Sequence, residues 1–461
     1  MPDLSRETAD MIKNNQKNGI LGDAVALWLA VAATIGFATP SMAQESSKTV
    51  TAPTPAYRFI LDPAYKAAPD AIALTPAQAY DEAKGYGFTN TKDGNEIALA
   101  IKVAPGDYRV RVTLGQDKKT KLKTGSRTSV WAEDRRLMLA PVVLKKGESK
   151  TVEFFVNVRD PNLVVSEQDV IKTPKVLLRG DEPTQSRDWD DKLTIAFSGS
   201  APAVQAIEIE KATPARRVFI VGDSTVADQG GADYASWGQM LPRFLSTELS
   251  VANHARSGET MKSFMTSLRW DKVMSEVRPG DILLIQFGHN DQKKQWPRTY
   301  VSAGRGYPAY LKALVADAQD HGVQVVLISP VSRRTFKDGV ITNSLAGYDD
   351  AVRNTAKELG IPFIDLTAKT KTLYEALGPE ISPLAFANSG KDGTHHNAYG
   401  AFTIANYVAQ AITDPANSLD LRASGDFVAF DPAKPVDTKA FEIQPADWPL
   451  MREVVAKVSG N

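Results

Sequence analysis

The chain has 461 residues, 43% hydrophobic and 23% charged, with 54 basic and 54 acidic side chains. That length fits two domains at roughly 100–200 residues each, and the balanced charge gives no global reason to expect a nucleic-acid partner. Cysteine is absent, which excludes a disulfide framework, thiolate metal sites and a cysteine nucleophile.

At the N-terminus, Lys13 and Lys17 precede an apolar run, Ala24–Ala38, and small Ser41 and Ala43 stand before Gln44. Positive region, apolar core and small-residue cleavage site together predict a secretory signal over residues 1–43. The run is shorter than the about 20 residues a membrane span needs. The expectation is a secreted or periplasmic protein with no stable membrane insertion after cleavage; an uncleaved anchor is the alternative. Residues 44–56 are polar and Pro/Thr-rich, a linker composition.

From Tyr57 to Ala212 the pattern is β-like. Glu96–Ala104, Asp107–Gly115, Thr128–Leu144, Lys150–Val158, Leu193–Gly199 and Val204–Ala212 alternate polar and apolar residues between turn formers. Regular short strands without a convincing helix predict an all-β sandwich over 57–212. The grammar changes at Pro214. Arg216–Gly222, Ile282–Gly288, Val323–Val331 and Ile361–Thr367 are near-continuous apolar runs, as in parallel strands buried on both faces. Amphipathic stretches such as Pro308–Gly322 and Gly347–Gly360 separate them. Strand–helix alternation predicts a doubly wound parallel α/β sheet over 213–415. Residues 416–461 form a C-terminal extension with no role assigned beyond packing, and the "RGD" at Arg179–Asp181 is given none.

Ligands of open α/β sheets bind beyond the carboxyl ends of the strands. Four loops there carry suggestive residues: "GDST" (Gly222–Thr225), "RSGET" around Gly258, "GHND" (Gly288–Asp291) and "DGTHH" (Asp392–His396). They fit acyl transfer. Ser224 would be the nucleophile, His395 its base, and Asp392 the carboxylate that orients the imidazole. The backbone N–H groups of Ser224 and Gly258 and the amide of Asn290 would receive the oxyanion. His254 and His289 read as packing residues, and His321 as a cation at a helix C-terminus.

The ordered set "GDST…G…GHND…DGTH" resembles the sequence blocks of the SGNH hydrolases, also called the GDSL esterase superfamily. "VFIVGDSTVAD", "NHARSGETMKSF" and "FGHNDQKK" are most similar to bacterial rhamnogalacturonan acetylesterases, and the β-rich segment with "KGYGF" (Lys84–Phe88) resembles a galactose-binding-like domain. The resemblance implies a flavodoxin-like sheet, a serine mechanism and His395 rather than His396 as the base. Related esterases often carry Gly-Arg-Ser in block two, where this chain reads Gly258-Glu259-Thr260.

The loop after "GHND" carries Lys293, Lys294, Arg298 and Arg305, with Arg333 and Arg334 after the next strand and Trp296, Tyr300 and Tyr307 as aromatic platforms. Lys293, Lys294, Trp296, Arg298 and Arg333 are the candidate contacts to an acidic sugar polymer. The expected function is removal of O-acetyl groups from rhamnogalacturonan, with no cofactor and no metal. The alternatives are a broader GDSL esterase or lipase, or a carbohydrate-binding protein with an inactive esterase domain. Oligomeric state is not encoded legibly.

Overall fold

Period-two alternation in the first part of the chain buries one face of each strand, and two five-stranded sheets close over it. The computed structural model describes residues 57–443 apart from 67–68, 90–96, 117–123, 134, 165–173, 181–188 and 230–232. The expected signal and linker (1–56) and residues 444–461 of the C-terminal extension lie outside the described residues. All described residues fall within one compact unit.

The β-rich strands are β1 (Tyr57–Ile60), β2 (Ile72–Ala73), β3 (Tyr86–Phe88), β4 (Ile97–Lys102), β5 (Gly106–Gly115), β6 (Ser126–Ala132), β7 (Arg136–Leu144), β8 (Ser149–Val158), β9 (Lys192–Ala201) and β10 (Val204–Lys211). One sheet runs β2-β1-β10-β5-β8 and the other β3-β4-β9-β6-β7. Their inner faces share a core that includes Phe59, Val110, Phe154, Leu99, Val130 and Ile195. The stretch Thr128–Leu144, expected as one strand-like run, is a hairpin instead. Glu133 and Arg135 turn it with φ of 52° and 60°, a conformation usually left to glycine.

The second half forms the parallel sheet. Its strands β11 (Arg216–Gly222), β12 (Leu249–Asn253), β13 (Ile282–Gln286), β14 (Gln324–Ile328) and β17 (Phe363–Ile364) lie in the order β12-β11-β13-β14-β17, with the small hairpin β15 (Phe336–Lys337) and β16 (Val340–Ile341) outside it. Alternate residues point to opposite faces. Phe219, Val221, Leu283 and Ile285 pack with Phe264, Val273, Leu311 and Val352. Val218, Ile220, Ile282 and Leu284 pack with Leu373, Ile404 and Tyr407 on the other side. Helices cover both faces, as a doubly wound sheet requires. Strand order reverses around β11, so the crevice for a ligand opens where β11 and β13 end.

The two halves share a core. Ala98, Trp131, Leu137 and Ala196 of the sandwich belong to the same apolar cluster as Ala227, Trp237 and Leu241. Charge is buried there too. Arg136 Nε lies 2.5 Å from Asp228 Oδ2, both side chains being almost inaccessible, and Asn253 Nδ2 donates to Asp228 Oδ1 at 2.7 Å. Residues 414–443 cover the helix Ala398–Ile412: Phe430 and Phe441 lie against Phe402, and Tyr399 Oη donates to the Val436 carbonyl.

Asp228→Ala deprives buried Arg136 and Asn253 of that acceptor. The expected loss of stability is about 3–5 kcal/mol by urea unfolding of the full chain; a loss no larger than that of a surface substitution would show that the pair does not brace the junction.

Candidate active site

The carboxyl end of β11 is shaped by close approach. A Cβ on Gly222 would lie 2.4 Å from the Gln286 carbonyl of β13, so only glycine lets the strands pass here. The chain then folds into a tight turn: Val226 and Ala227 N–H both donate to the Asp223 carbonyl, at 3.1 and 3.0 Å. Among the described residues no helix follows this turn before Trp237. Asp223 is fully buried and ties the turn from within. Its Oδ1 accepts from Thr225 N (2.9 Å) and Thr225 Oγ1 (2.8 Å), and its Oδ2 from His289 N (3.3 Å). Burial raises its carboxyl above the usual range, and those donors oppose the shift.

Ser224 is half-exposed on that turn. Its Oγ lies 2.8 Å from His395 Nε2, and His395 Nδ1 lies 2.8 Å from Asp392 Oδ2. With Nδ1–H donating to the carboxylate, Nε2 is left to accept from the serine hydroxyl. The other carboxylate oxygen of Asp392 accepts from the N–H groups of Thr394 (2.7 Å) and His395 (2.9 Å). Burial alone would raise this carboxyl. The bonds and charge of His395, with those N–H groups, outweigh it and hold it at about 2. Asp392 is therefore ionised throughout the neutral range.

Two further loops meet this line. Gly258 has φ of +81°, in the left-handed region that a side chain resists. Asn290 is buried, and its Nδ2 donates to the Glu259 carbonyl at 3.0 Å, which fixes the amide beside block two. Asp291 staples the same loops: Oδ1 accepts from Met261 N and Oδ2 from Gly288 N, both at 3.0 Å. Burial pushes the Asp291 carboxyl up to about 7. Ser224, Gly258, Asn290, Asp392 and His395 thus all stand at one sheet edge. Such an arrangement can move a proton from a hydroxyl and place donors near a developing oxyanion.

The basic loop divides on inspection. Lys294, Arg298 and Trp296 are exposed, the last by 45%. Lys293 is half-buried, and burial with the Arg333 charge lowers its ammonium. Arg333 is engaged with the scaffold: Nε donates to Thr394 Oγ1 (3.1 Å) and Nη2 to the His289 carbonyl (3.3 Å). It braces the loop of His395 as well as facing this region. Arg334 donates to the Gly390 carbonyl and covers Phe386, which makes it a support. Tyr307 offers no platform, a correction to the sequence reading. It is buried with its hydroxyl on the Phe287 carbonyl, because helical spacing turns it into the core.

Other residues at the site gave no signal in the sequence. Tyr234 lies with its ring 5.8 Å from that of His395. Gln229 donates to the Ser224 carbonyl at 2.6 Å. Arg179, set aside with its tripeptide, places Nη2 2.6 Å from Glu259 Oε1. Among the described residues no group of three or more His, Asp or Glu is placed to hold a metal ion.

The remaining histidines are buried or peripheral. His396 accepts from or donates to Tyr374 Oη at 2.6 Å, and His254 Nε2 lies 3.4 Å from Glu276 Oε2. Burial drives the His254 imidazole down to about 4 and that of His396 to about 3. Both are neutral when folded and titrate near 6.5 when unfolded. The stability they confer is complete above that value and is lost as pH falls from 6.5 towards 4 and 3. Urea unfolding across this window should show falling stability, with a shallower slope in His254→Gln; an equal slope would remove His254 from the account. Asn290→Ala should lower kcat on an ester substrate by about 10²–10³ with the fold intact by circular dichroism. A change below twofold would exclude the amide from the oxyanion site.

Residues 220–401 match the family model described as GDSL-like Lipase/Acylhydrolase. The chain is 38% identical over 212 residues to rhamnogalacturonan acetylesterase RhgT of Bacillus subtilis (strain 168), covering 43% of this chain and 90% of that protein. It is 33% identical over 203 residues to the probable rhamnogalacturonan acetylesterase YesY of the same organism, covering 43% and 94%. The crystal structure of Bacillus subtilis YxiM superimposes with a TM-score of 0.42 at 21% identity, covering 78% of this chain and 98% of that one. Sequence, blocks and sheet order agree: the chain belongs to the GDSL-like lipase/acylhydrolase family and is a carboxylic ester hydrolase.

Proposed function

We propose that the protein is an exported serine esterase that removes O-acetyl groups from an acidic plant polysaccharide of the rhamnogalacturonan class. The observation that carries the chemistry is the continuous line Asp392–His395–Ser224, with 2.8 Å at each step, ending at the mouth of the β11/β13 crevice. Ser224 Oγ attacks the acetyl carbonyl carbon while His395 Nε2 takes the hydroxyl proton. The carbonyl oxygen becomes an oxyanion beside the N–H groups of Ser224 and Gly258 and the Asn290 amide. Collapse breaks the bond to the sugar oxygen, which leaves with the proton from His395, and acetyl stays on Ser224. Water then attacks the acyl-enzyme with His395 again as base, releasing acetate. The proton transfers use side chains already in hydrogen-bond reach of one another.

Support for the substrate comes from two sides. Two of the relatives named above, RhgT and YesY, carry rhamnogalacturonan acetylesterase in their names. The site's surroundings are cationic, with Lys293, Lys294, Arg298 and Arg333 near the same edge and Trp296 exposed among them. Cations and a flat apolar face suit an acidic sugar polymer better than a fatty chain.

Acetate release is to be measured from acetylated rhamnogalacturonan, acetylated xylan and a long-chain fatty ester, with wild type and Ser224→Ala in parallel. The expected result is strongest release from rhamnogalacturonan, lost by at least about 10⁴ in Ser224→Ala. Preference for the fatty ester would leave the serine chemistry and reassign the substrate. Undiminished release by Ser224→Ala would overturn the mechanism.

A further inference from the structure

Arg179 reaches the site from the β-rich half of the chain. The segment that carries it lies directly on the hydrolase half: Leu177 N–H donates to the Ser267 carbonyl at 2.9 Å, and Val176 is buried. Two residues later the guanidinium meets block two. Nη2 is 2.6 Å from Glu259 Oε1; the Glu259 side chain is fully buried, whereas that of Arg179 is 44% exposed. A Cβ built on Gly258 would lie 3.0 Å from Arg179 Nη1. The guanidinium therefore sits directly over the glycine whose N–H is a candidate oxyanion donor.

Glu259 has an inner partner as well. Arg269, only 1% exposed, places Nε 3.6 Å from the same Oε1, and the Ser263 hydroxyl donates to Oε2. A buried carboxylate needs cationic compensation, and Arg269 is buried beside it. Arg179 is the outer cation, with its side chain 44% exposed. A guanidinium has five donors in a fixed fork matched to a carboxylate, so it can hold Glu259 and meet a second anion.

We propose that Arg179, presented by the β-rich half and anchored by Glu259, is a carboxylate-binding subsite at the mouth of the active site, recognising a uronate residue close to the acetylated sugar. This presupposes the acidic-polysaccharide substrate proposed above. It makes the β-rich half a wall of the site and gives the chain a specificity contact that none of the four sequence blocks encodes.

The test is competition. Deacetylated rhamnogalacturonan oligosaccharides, with carboxyls either free or methyl-esterified, compete against hydrolysis of 4-nitrophenyl acetate by the full chain. Wild type should bind the free acids more tightly than the esters. Arg179→Gln should raise Ki for the free acids about tenfold, the scale of one charge-assisted pair, and leave Ki for the esters within about twofold. Arg179→Lys keeps the ion pair with Glu259 but loses the fork, and should fall between; it carries the same comparison should Arg179→Gln fail to fold. If wild type discriminates and the variants discriminate equally, the subsite is wrong while the acidic substrate stands. Parallel loss against both ligands would make Arg179 a structural prop for Glu259 and overturn the subsite. If wild type itself shows no preference for free acids, the acidic substrate falls and the subsite with it.

Discussion

The carboxylate of Asp228 sits four residues beyond Ser224, out of contact with solvent, and the geometry of the site depends on what it holds. From Asp228 a chain of buried hydrogen bonds runs to Arg136 on β7, from Arg136 to the Asn157 carbonyl on β8, and from the Asn157 amide to Asp107 on β5. Ser250 on β12 donates to the same Asp107 oxygen, and Asn253, three residues along β12, donates to Asp228. Closed through the β12 backbone between Ser250 and Asn253, the bonds form a ring through both halves of the molecule. In a low-dielectric interior such a ring is strong when complete and costly when broken, so it specifies one docking geometry rather than a range. The turn that exposes Ser224 hangs from that ring, and Arg135 adds bonds to the Gln229 and Tyr234 carbonyls just beyond it. The sandwich therefore belongs to the mechanics of the Ser224 loop.

Much of this was readable without coordinates, for definite reasons. Doubly buried parallel strands need unbroken apolar runs, and Phe219–Val221 and Ile282–Ile285 announce themselves. Ser224, Gly258 and Asn290 follow strands in chain order, so the sheet rule puts them at one edge; His395 lies beyond the helix Leu366–Ile381 that follows β17, and its motif spacing from Asp392 is what marks it. Strands β1, β2 and β3, at two to four residues, are too short to show a period. The β6–β7 turn hid because charged residues, not glycine, take the left-handed backbone there. Arg179, Gln229 and Tyr234 were illegible for a deeper reason. Their places depend on how distant segments dock, and no local spacing reports that.

The histidines show how burial sorts equivalent side chains. His395 and His396 are adjacent, yet a strand-like step turns them to opposite sides. The first reaches a half-exposed serine; the second is enclosed by Tyr374 and Phe386. A general base must lose and regain a proton near neutral pH, which an imidazole held down to about 3 by burial does not do. The desolvation that disqualifies His396 for chemistry suits it to packing, since a neutral imidazole can accept one hydrogen bond and fill the space of an aromatic ring.

Glu259 poses an electrostatic problem that its arginines resolve. A carboxylate next to the loop of Gly258 would repel the negative charge that grows on the substrate oxygen, and in a dry site such repulsion is poorly screened. The carboxylate is nevertheless fully buried there, with its backbone carbonyl orienting Asn290. Two guanidiniums lie on that carboxylate, Arg269 within and Arg179 outside, and offset its charge beside Gly258. On the proposed reading, affinity for an acidic polymer and a favourable field for the oxyanion share one ion cluster, buried at Glu259 and Arg269 and exposed at Arg179, built across two halves of the chain.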